Sequence, residues 1–139
     1  MSDSPILVPF FGMLLLTLVV WVFMYYHRLR VIREAKIDPQ SLSIPETAAA
    51  FPPHAVNPAN NLKNLFELPV LFYALVLLLL HTGQVDSVYT LCAFGFFVFR
   101  VVHSAIHCTY NRVMHRFSVY CISSLFLWAM VVRAALTAF

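Results

Sequence analysis

Four stretches that carry almost no charge, 5–27, 68–85, 87–111 and 117–132, decide what this chain can fold into. Each approaches the ~20 residues that ~30 Å of hydrocarbon requires when spanned by a helix. The second and fourth are shortest and need flanking turns to complete a crossing. With 61% hydrophobic residues among 139 and a mean hydropathy of +0.81, a water-soluble body of this size could not hide its apolar surface. None of the runs alternates with period two, which argues against a β-barrel. The expectation is an all-α integral membrane protein: one four-transmembrane-helix bundle over 1–139, with helices at about 5–36, 58–82, 86–111 and 115–136.

The first run is not read as a cleaved signal peptide. Asp3 stands where a basic segment would be, and no small-residue cleavage site precedes Arg28. Cys92, Cys108 and Cys121 sit at unrelated spacings inside expected spans, so they are read as buried apolar cysteines rather than a disulfide framework or a CxxC metal site.

Charge is distributed unevenly. Arg28, Arg30, Arg33, Lys36 and Lys63 gather in or beside the first loop, and Arg112 and Arg116 at the third. The second loop holds only Asp86 and the N-terminus only Asp3. Positive residues favour the cytoplasmic side, so both termini are expected to be non-cytoplasmic. The basic residues suit a surface beside anionic lipid, and no basic patch with interleaved aromatics suggests nucleic acid.

Asp38–Pro39 and Ser43–Ile44–Pro45 end the first helix and open a cytoplasmic loop of 38–57, where Glu46–Ala50 can form one helical turn. Asn57 followed by Pro58 reads as a cap and first turn for the second helix. Pro69 inside that helix predicts a kink, and Gly83 with Asp86 a tight turn into the third.

Three helices carry polar stripes. Asn60, Asn64 and Glu67 share a face of the second, with Lys63 adjacent; Arg100, His103 and His107 share a face of the third; Arg116, Tyr120, Ser123 and Ser124 share a face of the fourth. A guanidinium at bilayer depth is expensive, so Arg100 is expected to face protein or a polar cleft. One reading has the groups satisfying one another, with Glu67 paired to Arg100. The other has surplus cations, Arg28, Lys63 and Arg116, together with Asn, His and Tyr side chains, forming a site for a small polar anion such as a peptide with free carboxylates. His103 and His107 with Glu67 have metal-ligand spacing, but Arg100 repels a cation, and no metal is expected. Ser104 beside His103 lacks a nucleophile elbow.

These residues resemble the family of membrane-associated proteins in eicosanoid and glutathione metabolism (MAPEG), which contains microsomal glutathione transferases and microsomal prostaglandin E synthase. The resemblance rests on Asn60–Asn61–Leu62–Lys63–Asn64–Leu65–Phe66–Glu67, on Arg100–Val–Val–His103–Ser104, on Arg116 and Tyr120 four apart, and on Arg28–Leu29–Arg30 closing the first helix. The run Asn64–Leu65–Phe66–Glu67–Leu68–Pro69 and the short polar termini look more like bacterial members. The resemblance implies a homotrimer with glutathione, as co-substrate, between subunits. Arg28, Lys63, Asn64, Glu67, His103, His107 and Tyr120 would hold it, Arg116 would stabilise its thiolate, and Arg100 and Asn60 would support the site. It implies a transferase or peroxidase acting on lipophilic electrophiles, in a bacterial inner membrane or, in a eukaryote, the endoplasmic reticulum. Asn60 and Lys63 stand where members often have arginine, His107 where tyrosine is frequent, and Phe117 where some have a small hydroxyl residue. These departures imply an alternative, a catalytically inactive member serving as a membrane subunit or lipid-binding protein.

Overall fold

The computed structural model of the chain describes residues 4–138; Asp3 lies outside them. All regular structure among these residues is helical: α1 Leu7–Glu34, a 3-10 turn Pro39–Ser43, α2 Pro45–Ala49, α3 Pro53–Leu65, α4 Leu68–Thr82, α5 Ser87–Cys108 and α6 Val113–Ala138. Four helical segments are long and apolar enough to cross a bilayer: α1, α3 continued by α4, α5 and α6.

Proline and glycine account for most of the boundaries. Asp38 caps the 3-10 turn by accepting from the Gln40 N–H at 3.1 Å, and Pro45 sits in the first turn of α2. The second span starts at Pro53, not at Asn57–Pro58 as expected. Pro52 in extended geometry and Pro53 in the first turn already suffice to begin a helix. Pro58 is absorbed inside α3 at the cost of one backbone bond, to the carbonyl of His54, and Asn57 is helical rather than a cap. Pro69 acts as expected. Its ring and missing N–H conflict with the carbonyl four residues back, that of Leu65, where α3 ends.

Gly83 closes α4 at φ 68, the left-handed geometry that glycine adopts without penalty, and the Gln84 N–H reaches back to the Leu79 carbonyl at 3.0 Å. Asp86 then caps α5, accepting from the N–H groups of Val88 and Tyr89 at 3.0 and 2.9 Å. The same carboxylate takes both Nη1 and Nη2 of Arg133 on α6, at 2.8 and 2.6 Å. The guanidinium and the two backbone donors hold the Asp86 carboxyl at about 2, below the usual carboxylate range.

Helix α5 is the axis of the bundle, packing on α1, α3 and α6. Its buried stripe, Tyr89, Ala93, Phe96, Arg100, His103 and His107, advances three or four residues at a time, the helical period. The stripe changes chemistry halfway. Tyr89, Ala93 and Phe96 join an apolar core with Ile6, Met13, Phe72, Leu127 and Met130, whereas everything from Arg100 onward is polar or borders polar groups. Two glycines allow the close approach of neighbouring helices: an added Cβ would lie 2.7 Å from the Phe97 ring at Gly12, and 2.7 Å from the Phe126 ring at Gly95. The outer faces carry Phe11, Leu15, Leu18, Val22, Leu91, Leu125 and Leu136 exposed, as a lipid-facing surface requires.

Candidate functional site

The polar end of α5 meets α3 and α6 through three separate sets of hydrogen bonds. Asn61, fully buried, accepts at Oδ1 from the Ser104 hydroxyl at 3.4 Å and donates through Nδ2 to Cys108 Sγ at 3.5 Å. Asn64 Nδ2 and His107 Nδ1 lie 3.4 Å apart. His103 donates from Nδ1 to the backbone carbonyl of Arg116 at 3.1 Å, the partner that fixes which ring nitrogen carries that proton, and its Nε2 is buried without a partner. Arg116 Nη1 donates to Asn111 Oδ1 at 2.7 Å, and Asn111 Nδ2 donates to Asn57 Oδ1 at 3.0 Å.

Beside these bonds a cleft of about 240 Å³ opens between Asn64, Glu67, His103, Arg116, Phe117 and Tyr120. Five of the expected site residues, Asn64, Glu67, His103, Arg116 and Tyr120, therefore share one opening. His107 lies behind it, its ring centroid 5.6 Å from that of His103. Arg28, Asn60 and Lys63 do not join them within the chain. They line a separate cavity of about 350 Å³ beneath α2, where Arg28 stacks over Phe51 at 5.8 Å. A wider opening of about 800 Å³ lies at the far end of the bundle, beside Pro5, Gly83 and Asp86. Its single charged group, Asp86, is already engaged with Arg133 and in capping α5.

Arg100 is fully buried, as expected, but it does not pair with Glu67. Among the described residues the ion pairs are Arg30–Glu34 and Asp86–Arg133. Glu67 falls in the break between α3 and α4, where the backbone leaves helical geometry, and its side chain is exposed. The Arg100 nitrogens Nε, Nη1 and Nη2 are all buried without a hydrogen-bond partner, and the faces of Tyr120 and Phe96 supply the contact instead.

Three further expectations are revised. Ser123 and Ser124 both donate to the Tyr120 carbonyl, at 2.8 and 2.7 Å, so they serve their own helix rather than the cleft. The cysteines are half-buried rather than fully buried, and Cys108 accepts a hydrogen bond from Asn61. The asparagine stripe facing α5 is Asn57, Asn61 and Asn64, one step around the helix from Asn60, Asn64 and Glu67. With asparagine at 57, 60, 61 and 64, helical spacing alone admits either stripe. Asn57, Asn61 and Asn111 thus make interhelical hydrogen bonds near the cleft that the spacing did not single out. Among the described residues no three His, Cys, Asp or Glu side chains gather into a metal-binding group.

A family model, that of the MAPEG family, matches residues 6–136, nearly the whole chain. The chain belongs to the MAPEG family. It is therefore an integral, multi-pass membrane protein of a family whose members work in glutathione-related chemistry. No curated protein and no solved structure matches it. The cleft at Arg116 lies within the matched residues and is lined from three of the four spans.

Proposed function

We propose that the protein is a glutathione-dependent membrane transferase or peroxidase, with Arg116 as the group that holds the glutathione thiolate. One observation carries this reading. Arg116 is anchored through Nη1 and through its own carbonyl, yet it lines an open cleft with Nε and Nη2 uncommitted, beside Asn64, His103 and Tyr120. A cation near a thiol favours the ionised, nucleophilic form. The thiol proton passes to water and leaves the thiolate against the guanidinium. In a transfer reaction the sulfur then forms a bond to the electrophilic carbon, and the leaving group departs with its bonding electrons. In peroxide reduction the sulfur takes the terminal OH to become a sulfenic acid, the O–O bond breaks, and the departing alkoxide takes a proton from water to leave as the alcohol. A second glutathione then yields the disulfide and water. The lipophilic substrate reaches the sulfur from the bilayer.

The complete site is assembled between protomers of a homotrimer. Support comes from the two cavities: Arg28 and Lys63 line one, Arg116 the other, and joining them across a subunit boundary brings carboxylate-binding cations to the thiolate-binding one. Glu67 gives independent support. An exposed carboxylate on the flank of a membrane span is costly unless another protein surface covers it. Both termini lie on the non-cytoplasmic side, since the first and third loops carry the basic residues.

The test is turnover. Purified protein in detergent or lipid, given glutathione and an apolar halogenated aromatic or lipid hydroperoxide, is expected to form conjugate or alcohol, and Arg116→Ala to lose at least about a hundredfold in kcat/KM. One observation favours a second reading, a non-catalytic lipid-binding subunit. An apolar cavity of about 260 Å³ between α1 and α5, beside Leu16, Val20, Phe23, Val101 and Ala105, suits an acyl chain. Retained lipid with no turnover would decide for that reading.

A further inference from the structure

We infer that Asn111, held in turn by Asn57, is a positioning residue that fixes the Arg116 guanidinium at the cleft without cancelling its charge; this rests on the reading of Arg116 as the thiolate-binding group. Three features of the turn between α5 and α6 lead there.

First, Asn111 adopts φ 48, a left-handed conformation that is unfavourable for most residues with a side chain and best tolerated by glycine, asparagine and aspartate. Its N–H closes α5 by bonding the Ile106 carbonyl at 2.9 Å, so the turn itself needs only the backbone. Glycine would serve that purpose at least as well. The asparagine side chain therefore has a task beyond the turn.

Second, that side chain uses both ends of its amide. Oδ1 accepts from Arg116 Nη1 at 2.7 Å, and Nδ2 donates to Asn57 Oδ1 at 3.0 Å. The donor–acceptor pattern sets the amide orientation, because only the oxygen can accept from a guanidinium. A relay thus runs from α3 through the turn to α6. Together with the bond from His103 Nδ1 to the Arg116 carbonyl, it locates Arg116 at both its backbone and its head group.

Third, the partner is neutral. A carboxylate in the same place would hold the guanidinium at least as firmly but would pair with the charge the thiolate needs. The charged and titratable groups around Arg116 are Glu67 at the α3–α4 break, His103, His107 and, behind the Tyr120 ring, Arg100 on α5, His115 and Tyr120 on α6, and Arg112 just before that helix. Glu67 is exposed at the mouth of the cleft, so Asn111 is the contact that directs the head group without neutralising it.

The experiment compares wild type, Asn111→Gly, Asn111→Asp and Asn57→Ala, each as the purified full-length protein with glutathione. It reads the pH at which half the bound thiol is ionised, from ultraviolet thiolate absorbance, with kcat and the glutathione KM alongside. Glycine keeps the left-handed backbone and removes only the amide. It is expected to raise the ionisation midpoint and lower kcat about tenfold, leaving KM within about twofold. Asn111→Asp is expected to raise the midpoint further, although the side chain is nearly isosteric. Asn57→Ala, which leaves the turn untouched, should move the midpoint in the same direction by less; it serves in place of Asn111→Gly if that variant does not fold. A wild-type ionisation midpoint in all the folded variants would overturn the proposal, as would an effect on thermal stability alone. No thiolate signal in the wild type would refute the reading of Arg116 itself and take this proposal with it.

Discussion

The guanidinium carbon of Arg100 lies 4.6 Å from the centre of the Tyr120 ring, and this aromatic face, with Phe96 at 5.3 Å on α5 itself, stands where a carboxylate partner was expected. A fully buried cation without a counter-ion is among the costliest groups a helix bundle can carry. The ring quadrupole offsets part of that cost, by roughly 2 kcal/mol for a desolvated pair. Tyr120→Phe is therefore expected to leave the thermal midpoint of the purified protein nearly unchanged, because the face survives. Tyr120→Leu, which keeps bulk and loses the face, should lower it by several degrees. Equal midpoints for the two variants would show that the ring does nothing for Arg100.

Gly95 makes room for Phe126. A Cβ built at Gly95 meets three ring atoms at 2.7–2.8 Å, so an alanine there must displace a ring that also stacks on Phe99 at 5.9 Å. Overpacking of this kind costs typically ~1–3 kcal/mol. Gly95→Ala should lower the thermal midpoint, and adding Phe126→Leu should recover part of the loss, since the clash is with that one side chain. Additive destabilisation in the double variant would place the problem elsewhere.

Asp86 ties the α4–α5 turn to α6 through Arg133, and its carboxyl is held down at about 2. A carboxyl whose pKa is lower folded than unfolded contributes stability that is complete above the unfolded value and lost as pH falls through the folded one. The contribution of this pair is expected to be flat from neutral pH to near 4 and to decline from there through about 2. Asp86→Asn, which retains a capping oxygen and loses the charge, should be less stable than wild type at neutral pH, with the gap closing across that acid window. Thermal midpoints of both proteins measured from pH 2 to pH 7 check this; a gap constant over the range would mean the ion pair is silent.

The four spans, the break at Pro69 and the turn at Gly83 and Asp86 were legible from residue order. Each rests on a local property: hydropathy over a helix length, a missing N–H, a left-handed glycine or a carboxylate beside free backbone donors. The convergence of His103, Arg116 and Tyr120 was legible for a related reason, since helical spacing puts them on faces that short connections turn toward one another. What could not be read depends on rotation about a helix axis. One step around α3 decides whether Asn60 or Asn61 meets α5, and both are asparagine. The same uncertainty in rotation hid the separation of Glu67 from Arg100, because the break before Pro69 resets the face that Glu67 presents. Asn111 escaped notice because its role depends on a backbone angle and on a partner 54 residues away in sequence.

The most direct measurement is the ultraviolet difference spectrum on adding glutathione to the purified protein at neutral pH, for wild type and Arg116→Ala. The wild type should develop thiolate absorbance that saturates with glutathione, and Arg116→Ala should show none while keeping its thermal midpoint and its oligomeric size. Undiminished thiolate absorbance in Arg116→Ala would contradict the assignment of the cleft at Arg116.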